Sequence, residues 1–349
     1  MSKENKQATA SKKTGKNILV IGCGSIGERH LRCLLQTGNA RVASCDTNPV
    51  LLEKITNEYQ VTTFASLKEA FSAQQFDGVV ICTPAHTHIG IALTSLQQNA
   101  ALLIEKPLSV GFERVGELKS EAIKSKKFIG VAYVLHLLPS IQGARDFLRT
   151  GALGKPLQVT VVSGQHFPTF RPAYREIYYN KHEAGGGAIQ DALTHSVNAV
   201  EWIVGPTTRV FCEAAHQSLE GVTVEDTVSI SAKNENVIVN YSLNQFQAPN
   251  ETTIQINCEG GSVKIEMHEQ RWGIFRRGQE KWEYHAAPVN HRDDLFFAQA
   301  KAFLDGTNGK PNPLCTLDEA IQTLKFNVAA LQSARTSQPV LINTAEISK

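Results

Sequence analysis

Short, continuously apolar runs alternate with helix-like stretches through the first part of the chain. The runs are residues 17–22 (NILVIG), 41–46 (RVASCD), 77–82 (DGVVIC), 101–105 (ALLIE) and 128–133 (FIGVAY). Their length and their Val and Ile content suit strands buried on both faces. Residues 25–36, 49–59, 66–74, 89–99 and 112–124 read as the helices between them. This alternation predicts a parallel sheet covered by helices on both sides. From Leu157 the pattern changes. Residues 157–163, 209–215, 227–232, 237–243, 252–258, 262–267, 272–275 and 282–285 alternate or are rich in strand formers, and Gly260-Gly261 joins two of them as a hairpin turn would. They predict a large, mostly antiparallel open sheet with one face free for a partner subunit. Residues 140–149 read as a linking helix. Near the end, Thr316 and Glu319 form a capping box, followed by an apolar row at Leu317, Ile321, Leu324, Val328 and Leu331. The expected fold is α/β: residues 17–137 a Rossmann dinucleotide-binding domain, and 138–349 an α/β domain for substrate binding and oligomerisation.

Composition narrows the class. A length of 349 residues fits about two domains at roughly 100–200 residues each. No apolar run approaches the roughly 20 residues of a membrane-spanning helix. Residues 1–16 hold five lysines and one acid, Glu4, out of 35 basic and 33 acidic side chains in all. The rest of the chain is therefore near neutral, which gives no reason to expect a nucleic-acid partner. The lysine-rich stretch has no apolar segment or cleavage site of a secretory signal and reads as a solvated tail. The seven cysteines are odd in number and include no C-x-x-C pair. Reduced thiols in a cytoplasm fit this better than disulfides, and no spacing suggests a metal site.

Candidate chemistry sits where strands should end. Gly22-Cys23-Gly24-Ser25-Ile26-Gly27 lies between the first strand and first helix, with Asp46 closing the next strand. Gly22 permits a tight turn, Gly24 lets the backbone approach a pyrophosphate, and Gly27 allows close helix–strand packing. Ser25 and Ile26 open the helix whose free N–H groups face the phosphates. Asp46 can accept from the ribose hydroxyls of NAD and would repel the 2′-phosphate of NADP, so NAD is the expected cofactor. Thr83-Pro84, with His86 and His88 after them, and Glu105-Lys106-Pro107 end two later strands, where ligands of open α/β sheets bind. Thr83, Pro84, His88 and Glu105 are expected to line the cofactor site. Lys106 there can polarise a carbonyl or hold a hydroxyl; equally, Glu105 and Lys106 read as a solvated pair before a proline turn.

In the second half, Gly185-Gly186-Gly187 precedes an apparent helix carrying Asp191 and His195, four residues apart and so on one face. The pair suits acid–base work, the carboxylate orienting the ring and the ring moving a proton. A surface ion pair is the rival reading, and a metal pair lacks a third ligand.

Together these motifs resemble the Gfo/Idh/MocA oxidoreductases, the group of glucose–fructose oxidoreductase and inositol 2-dehydrogenase. The resemblance runs from residue 17 to about 342 and rests on GCGSIG at 22–27, CTPAHTH at 82–88, EKP at 105–107, GGGAIQDALTH at 185–195 and the closing pattern of Gly306, Pro311 and the capped helix. It implies that Lys106, Asp191 and His195 meet at the nicotinamide, and that the large sheet forms dimers or tetramers. Tyr133 begins a segment in which many relatives carry an arginine where this chain has His136. Residues 166–178 resemble a sugar-acting branch, which points to Arg171, Arg175 and Tyr178 as substrate contacts, alongside Tyr133, Asp191 and His195. The implied activity is hydride transfer between NAD and a secondary alcohol of a sugar, inositol or derivative. The rivals are a tightly NADP-bound sugar–sugar oxidoreductase and a non-catalytic sensor on the same fold.

Overall fold

The computed structural model describes residues 15–176, 178–291 and 293–343. The expected tail lies outside them up to residue 14, and Lys16 already belongs to the first strand. The strands in chain order are β1 (Lys16–Ile21), β2 (Ala40–Cys45), β3 (Thr62–Phe64), β4 (Gly78–Ile81), β5 (Ala101–Ile104), β6 (Ile129–Val131), β7 (Pro156–His166), β8 (Thr207–Ala215), β9 (Thr227–Asn234), β10 (Val237–Asn244), β11 (Phe246–Cys258), β12 (Gly261–Glu266), β13 (Arg271–Arg276), β14 (Glu283–Ala286), β15 (Cys315–Thr316) and β16 (Val340–Leu341).

The first sheet runs β15-β6-β5-β4-β1-β2-β3, parallel except for β15. Strand order reverses between β1 and β4, and the crevice at such a reversal is where ligands of this architecture bind. Residues 18–21 of β1 and all of β4 and β5 are buried, as strands covered on both faces must be. Strand β3 was not foreseen: it has three residues, two of them threonine, and buries only Phe64.

The second sheet runs β14-β13-β12-β11-β7-β10-β9-β8-β16. It is antiparallel except for the pair β7–β10, an exception that alternation along single strands cannot reveal. Helices Pro139–Arg149, Thr194–Val204 and Leu317–Thr336 bury Ile141, Val197, Val200 and Phe326 against one face of it. The other face carries exposed Val162, Phe211 and Ile238.

The expected boundary at 137/138 is not a clean cut, because the end of the chain returns to the first domain. Strand β15 pairs with β6, and helix Asp294–Thr307 packs Phe303 against Ile18 and Gly78. The capping box at Thr316 and Glu319 is present. The helix it opens puts Ile321 and Leu324 into the first core and Phe326 and Ala330 into the second. One amphipathic helix therefore ties both domains together, a role its apolar row does not disclose. No described helix is long and apolar enough to cross a membrane.

Candidate active site

The glycine loop leaves β1 at the sheet reversal. Gly22 has φ +92°, and a side chain there would lie 2.7 Å from the Cys82 carbonyl oxygen, so only glycine fits beside β4. Nothing lies within 4 Å of where a Gly24 side chain would point. Gly24 caps helix Ser25–Gln36 without a side-chain bond, so the first-turn N–H groups face open space. A pyrophosphate fits this cradle. The Asp46 carboxylate accepts from Cys23 N (2.6 Å) and Asn48 N (2.8 Å), which fixes it against the loop. A carboxylate offers about four acceptor positions, so room remains for ribose hydroxyls.

The two strand-end loops are tied by His88, which is buried rather than facing a ligand. Its Nε2 lies 2.8 Å from the Thr83 carbonyl and its Nδ1 3.1 Å from that of Pro107. Donation to both would need a charged ring, and burial pushes the His88 pKa down. The neutral ring therefore donates to one of the two carbonyls only. His88, expected either to touch the cofactor or to support the groups that do, braces the loops that line the site. The Thr83 hydroxyl bonds that of Thr87 (2.6 Å), while Pro84 and His86 are exposed.

Glu105 also departs from the expected cofactor contact. Its Oε1 accepts from His30 Nε2 (2.7 Å) and its Oε2 from the Lys106 backbone N–H (3.0 Å), and it is 7% exposed. Burial alone would raise its pKa, but the His30 hydrogen bond and nearby positive charge hold it below the usual range. Both oxygens are committed inside the protein. No sequence motif includes His30. It lies in the buried row Gly27, His30, Leu31, Leu34 of its helix, and a histidine in such a row was the available signal.

Lys106 crosses to the second domain. Its Nζ donates to the Asp191 carbonyl and to Asp191 Oδ1, both at 2.9 Å. The same Oδ1 accepts from the Tyr178 hydroxyl at 2.8 Å. Burial would push the Asp191 carboxyl up; the Lys106 charge and these hydrogen bonds outweigh it and keep the group ionised. Although Tyr178 as a residue is 42% exposed, its hydroxyl is turned onto Asp191; that desolvation and the Asp191 charge raise it well above its ordinary value, so it stays a donor.

The segment bearing Asp191 is not the regular helix expected. Residues Ala188–Leu193 form a π-helical turn that passes into helix Thr194–Val204, and such turns recur at functional sites. Asp191 and His195 consequently share no hydrogen bond, and the carboxylate serves Lys106 and Tyr178 instead of the ring. His195 is half-buried with Nδ1 unpartnered, and burial followed by the Lys106 charge lowers its pKa to about 3. The ring is therefore neutral at ordinary pH.

Two of the expected substrate contacts have partners within the protein. Tyr133 is 1% exposed; its hydroxyl meets Thr194 Oγ1 (2.9 Å), which also accepts from Asn327 Nδ2 (3.0 Å), and its ring packs edge-on to His195. It supports the imidazole from behind, because the strand-end position of Tyr133 points into the seam between domains. Arg175 turns away: its Nε donates to the Glu220 carbonyl (2.8 Å) and it lies over the Tyr174 ring. Arg171 and Tyr178 are exposed, and Arg171 adds positive charge near His195. His136 is buried and stacked on Trp202. Among the described residues no cluster suits a metal ion.

A glycine-loop Rossmann domain whose strand-end lysine reaches a carboxylate on a second, open-sheet domain defines a two-domain NAD-binding oxidoreductase class. The chain belongs to the Gfo/Idh/MocA oxidoreductase family: residues 16–133 match the model described as oxidoreductase family, NAD-binding Rossmann fold, and residues 141–264 match the family's C-terminal domain. Similar proteins include the rhizopine catabolism protein MocA of Rhizobium meliloti, 25% identical over 53% of this chain and 56% of that protein. An inositol 2-dehydrogenase of the same species (strain 1021) is 26% identical over 53% and 54%. The matched region thus spans about half the length of these curated relatives. A 1,5-anhydro-D-fructose reductase of Ensifer adhaerens is 22% identical over 80% of this chain and 84% of that one. Among solved structures, the WlbA dehydrogenase of Bordetella pertussis, in complex with NADH and UDP-GlcNAcA, has a TM-score of 0.80 at 21% identity, covering 94% of this chain and 98% of that one. A levoglucosan dehydrogenase with NADH and levoglucosan has a TM-score of 0.83 at 16% identity over 94% and 99%. These likenesses establish the shared fold.

Proposed function

We propose that the protein is an NAD-dependent dehydrogenase acting on a secondary alcohol of a sugar, inositol or sugar derivative. The observation that carries this reading is the meeting of Lys106 Nζ with Asp191, beside a neutral His195, at the carboxyl end of β5. NAD, held by the Gly22–Gly27 loop and Asp46, supplies the hydride acceptor. Lys106 binds the substrate hydroxyl oxygen and lowers its acidity barrier through its charge. His195 takes the hydroxyl proton at Nε2, since Nδ1 is sealed. A ring with a pKa near 3 is a weak base, so the transfer relies on Lys106 stabilising the alkoxide as it forms. Asp191 orients Lys106, and Tyr178 holds the other side of that carboxylate. Tyr178 and Arg171 face the substrate; aromatic faces and guanidinium forks suit polyhydroxylated rings. The names of the relatives support sugars and inositol as the class. A lysine and a histidine both in place argue against a non-catalytic sensor. The described cysteines, all buried and unpaired, fit a reducing cytoplasm. The open sheet face with Val162, Phe211 and Ile238 is the surface through which copies would pair.

The test is a polyol and sugar panel followed by NADH and NADPH absorbance, with calorimetry of both cofactors. The Asp46 carboxylate opposes a 2′-phosphate by about 4 kcal/mol per unit-charge pair at 4 Å and an effective dielectric of 20, before screening. NAD should therefore bind at least roughly tenfold tighter than NADP. Equal or tighter NADP binding, or no alcohol oxidised, overturns the reading.

A further inference from the structure

The π-helical turn that carries Asp191 begins without a local cap: Gly187, its first flanking residue, has no side chain to bond the free N–H groups. Those groups are satisfied from another part of the chain. Glu225, just before β9, accepts from Ile189 N at its Oε1 (2.9 Å), and its own backbone carbonyl accepts from Ala188 N (3.0 Å). A side chain at residue 187 would stand 2.6 Å from both carboxylate oxygens, and φ there is +88°, so glycine and Glu225 fit each other. A carboxylate at a helix N-terminus is also favoured by the exposed N–H dipoles. Its second oxygen is held by His182 Nε2–H at 2.5 Å. The His182 carbonyl in turn accepts from Gln190 Nε2 (3.0 Å). Asp191 N closes the turn on the Gly187 carbonyl (3.0 Å), and both the carbonyl and Oδ1 of Asp191 then reach Lys106.

We propose that Glu225, clamped by His182, is a positioning residue that sets the register of residues 188–191 and so aims Asp191 at Lys106. The proposal rests on the reading that Lys106 and Asp191 serve the reaction. Glu225 touches neither; it acts through the backbone of the turn. The Glu225 hydrogen bond raises the His182 pKa, consistent with a clamp whose two members hold each other. The neighbouring Asp226 ties the other side of the same wall, accepting from the N–H groups of Gln217, Ser218 and Leu219.

The test uses the full chain and needs no identified substrate. Wild type, Glu225→Ala, Glu225→Asp and Glu225→Gln are compared by deuterium exchange over residues 185–193 and by acetic anhydride labelling of Lys106, with surface Lys155 as the control. Loss of a helix cap corresponds to about 3- to 30-fold faster exchange, expected for Ala and for Asp, which is one methylene too short. Lys106 labelling should rise in the same two variants while Lys155 stays constant and NAD affinity by calorimetry changes less than about threefold. Gln keeps the acceptor for Ile189 but sets an amide NH2 against His182 Nε2–H, so it should fall between wild type and Ala. If Ala does not fold, Asp carries the test. Unchanged exchange and labelling in Ala and Asp overturn the proposal, as does Gln behaving like Ala. On any panel substrate, kcat of the Asp variant should fall about 10- to 100-fold with KM nearly constant, the cost of a misplaced group. Asp191→Asn separates the two claims: normal turnover there refutes the catalytic reading, while the exchange result still decides the clamp.

Discussion

The two halves of the site are held in different ways. In the cofactor half, residues 22–27, 83–84 and 105–107 stand at the ends of buried parallel strands, and the sheet ladder fixes their backbone. In the substrate half, the described residues between 167 and 193 form only short helical turns and are pinned by side chains: Glu225 on the turn at 188–189, Tyr178 on Asp191, and an aromatic cluster of Phe167, Tyr174 and Tyr179 with Leu219 and Val224. The cofactor half is thus robust to changes at any one surface side chain, whereas the substrate half concentrates its geometry in a few carboxylates and hydroxyls. Specificity can change in such a segment without disturbing the Rossmann frame.

The largest expected effect that would break this comparison is in the cofactor half itself. His30→Phe leaves the buried Glu105 carboxylate without its partner, and breaking a buried pair costs about 3–5 kcal/mol. Chemical denaturation should show a loss of that order. A loss below about 1 kcal/mol would mean that the Glu105 carboxylate does not depend on His30.

Acid should act next. Burial pushes His136 down to about 4 and His195 to about 3, against an ordinary value of 6.5. Both rings bind a proton more readily when unfolded, so stability is full above pH 6.5 and is lost as pH falls toward 4 and below. His182 has the opposite sign: its raised pKa adds stability below 6.5 that disappears as pH rises through its folded value. Denaturant midpoints from pH 8 to 4 should decline on the acid side, and His136→Phe, if it folds, should flatten that decline. A flat profile in the wild type would contradict burial of these rings.

Smaller effects sharpen the substrate half. Tyr133→Phe removes one hydrogen bond to Thr194 and should cost about 1 kcal/mol, with KM unchanged. A large rise in KM would restore Tyr133 as a substrate contact. Arg175→Ala, on the exposed Glu220 loop, should change stability by under about 1 kcal/mol and KM by less than threefold.

The same contrast governs what could be read in advance. Strand runs, the glycine loop, Lys106 and the capped final helix follow from local pattern, because each depends on residues near it in sequence. The domain arrangement of the chain end does not, since β15 is two residues long and finds its partner β6 across the molecule. The helical spacing of Asp191 and His195 suggested a mutual bond, but the π-turn rotates the carboxylate onto Lys106. Glu225 and His182 lie in no motif; their importance arises only when distant segments meet. Tyr133 and Arg175 were attached to the site by their place in a segment, and a segment's pattern does not show that one is buried and the other bonds the Glu220 carbonyl.

The central claim is that Lys106 and His195 act on one oxygen. Its most direct test is turnover of Lys106→Met and His195→Asn on an alcohol found by the panel, with NAD affinity measured in parallel by calorimetry. Acid–base groups contribute typically about 10²–10⁴ in rate, so each variant should lose that much in kcat, and the double variant less than the product of the two. NAD affinity should barely change in His195→Asn, because that residue lies on the second domain. Near-normal kcat in both single variants would contradict the account.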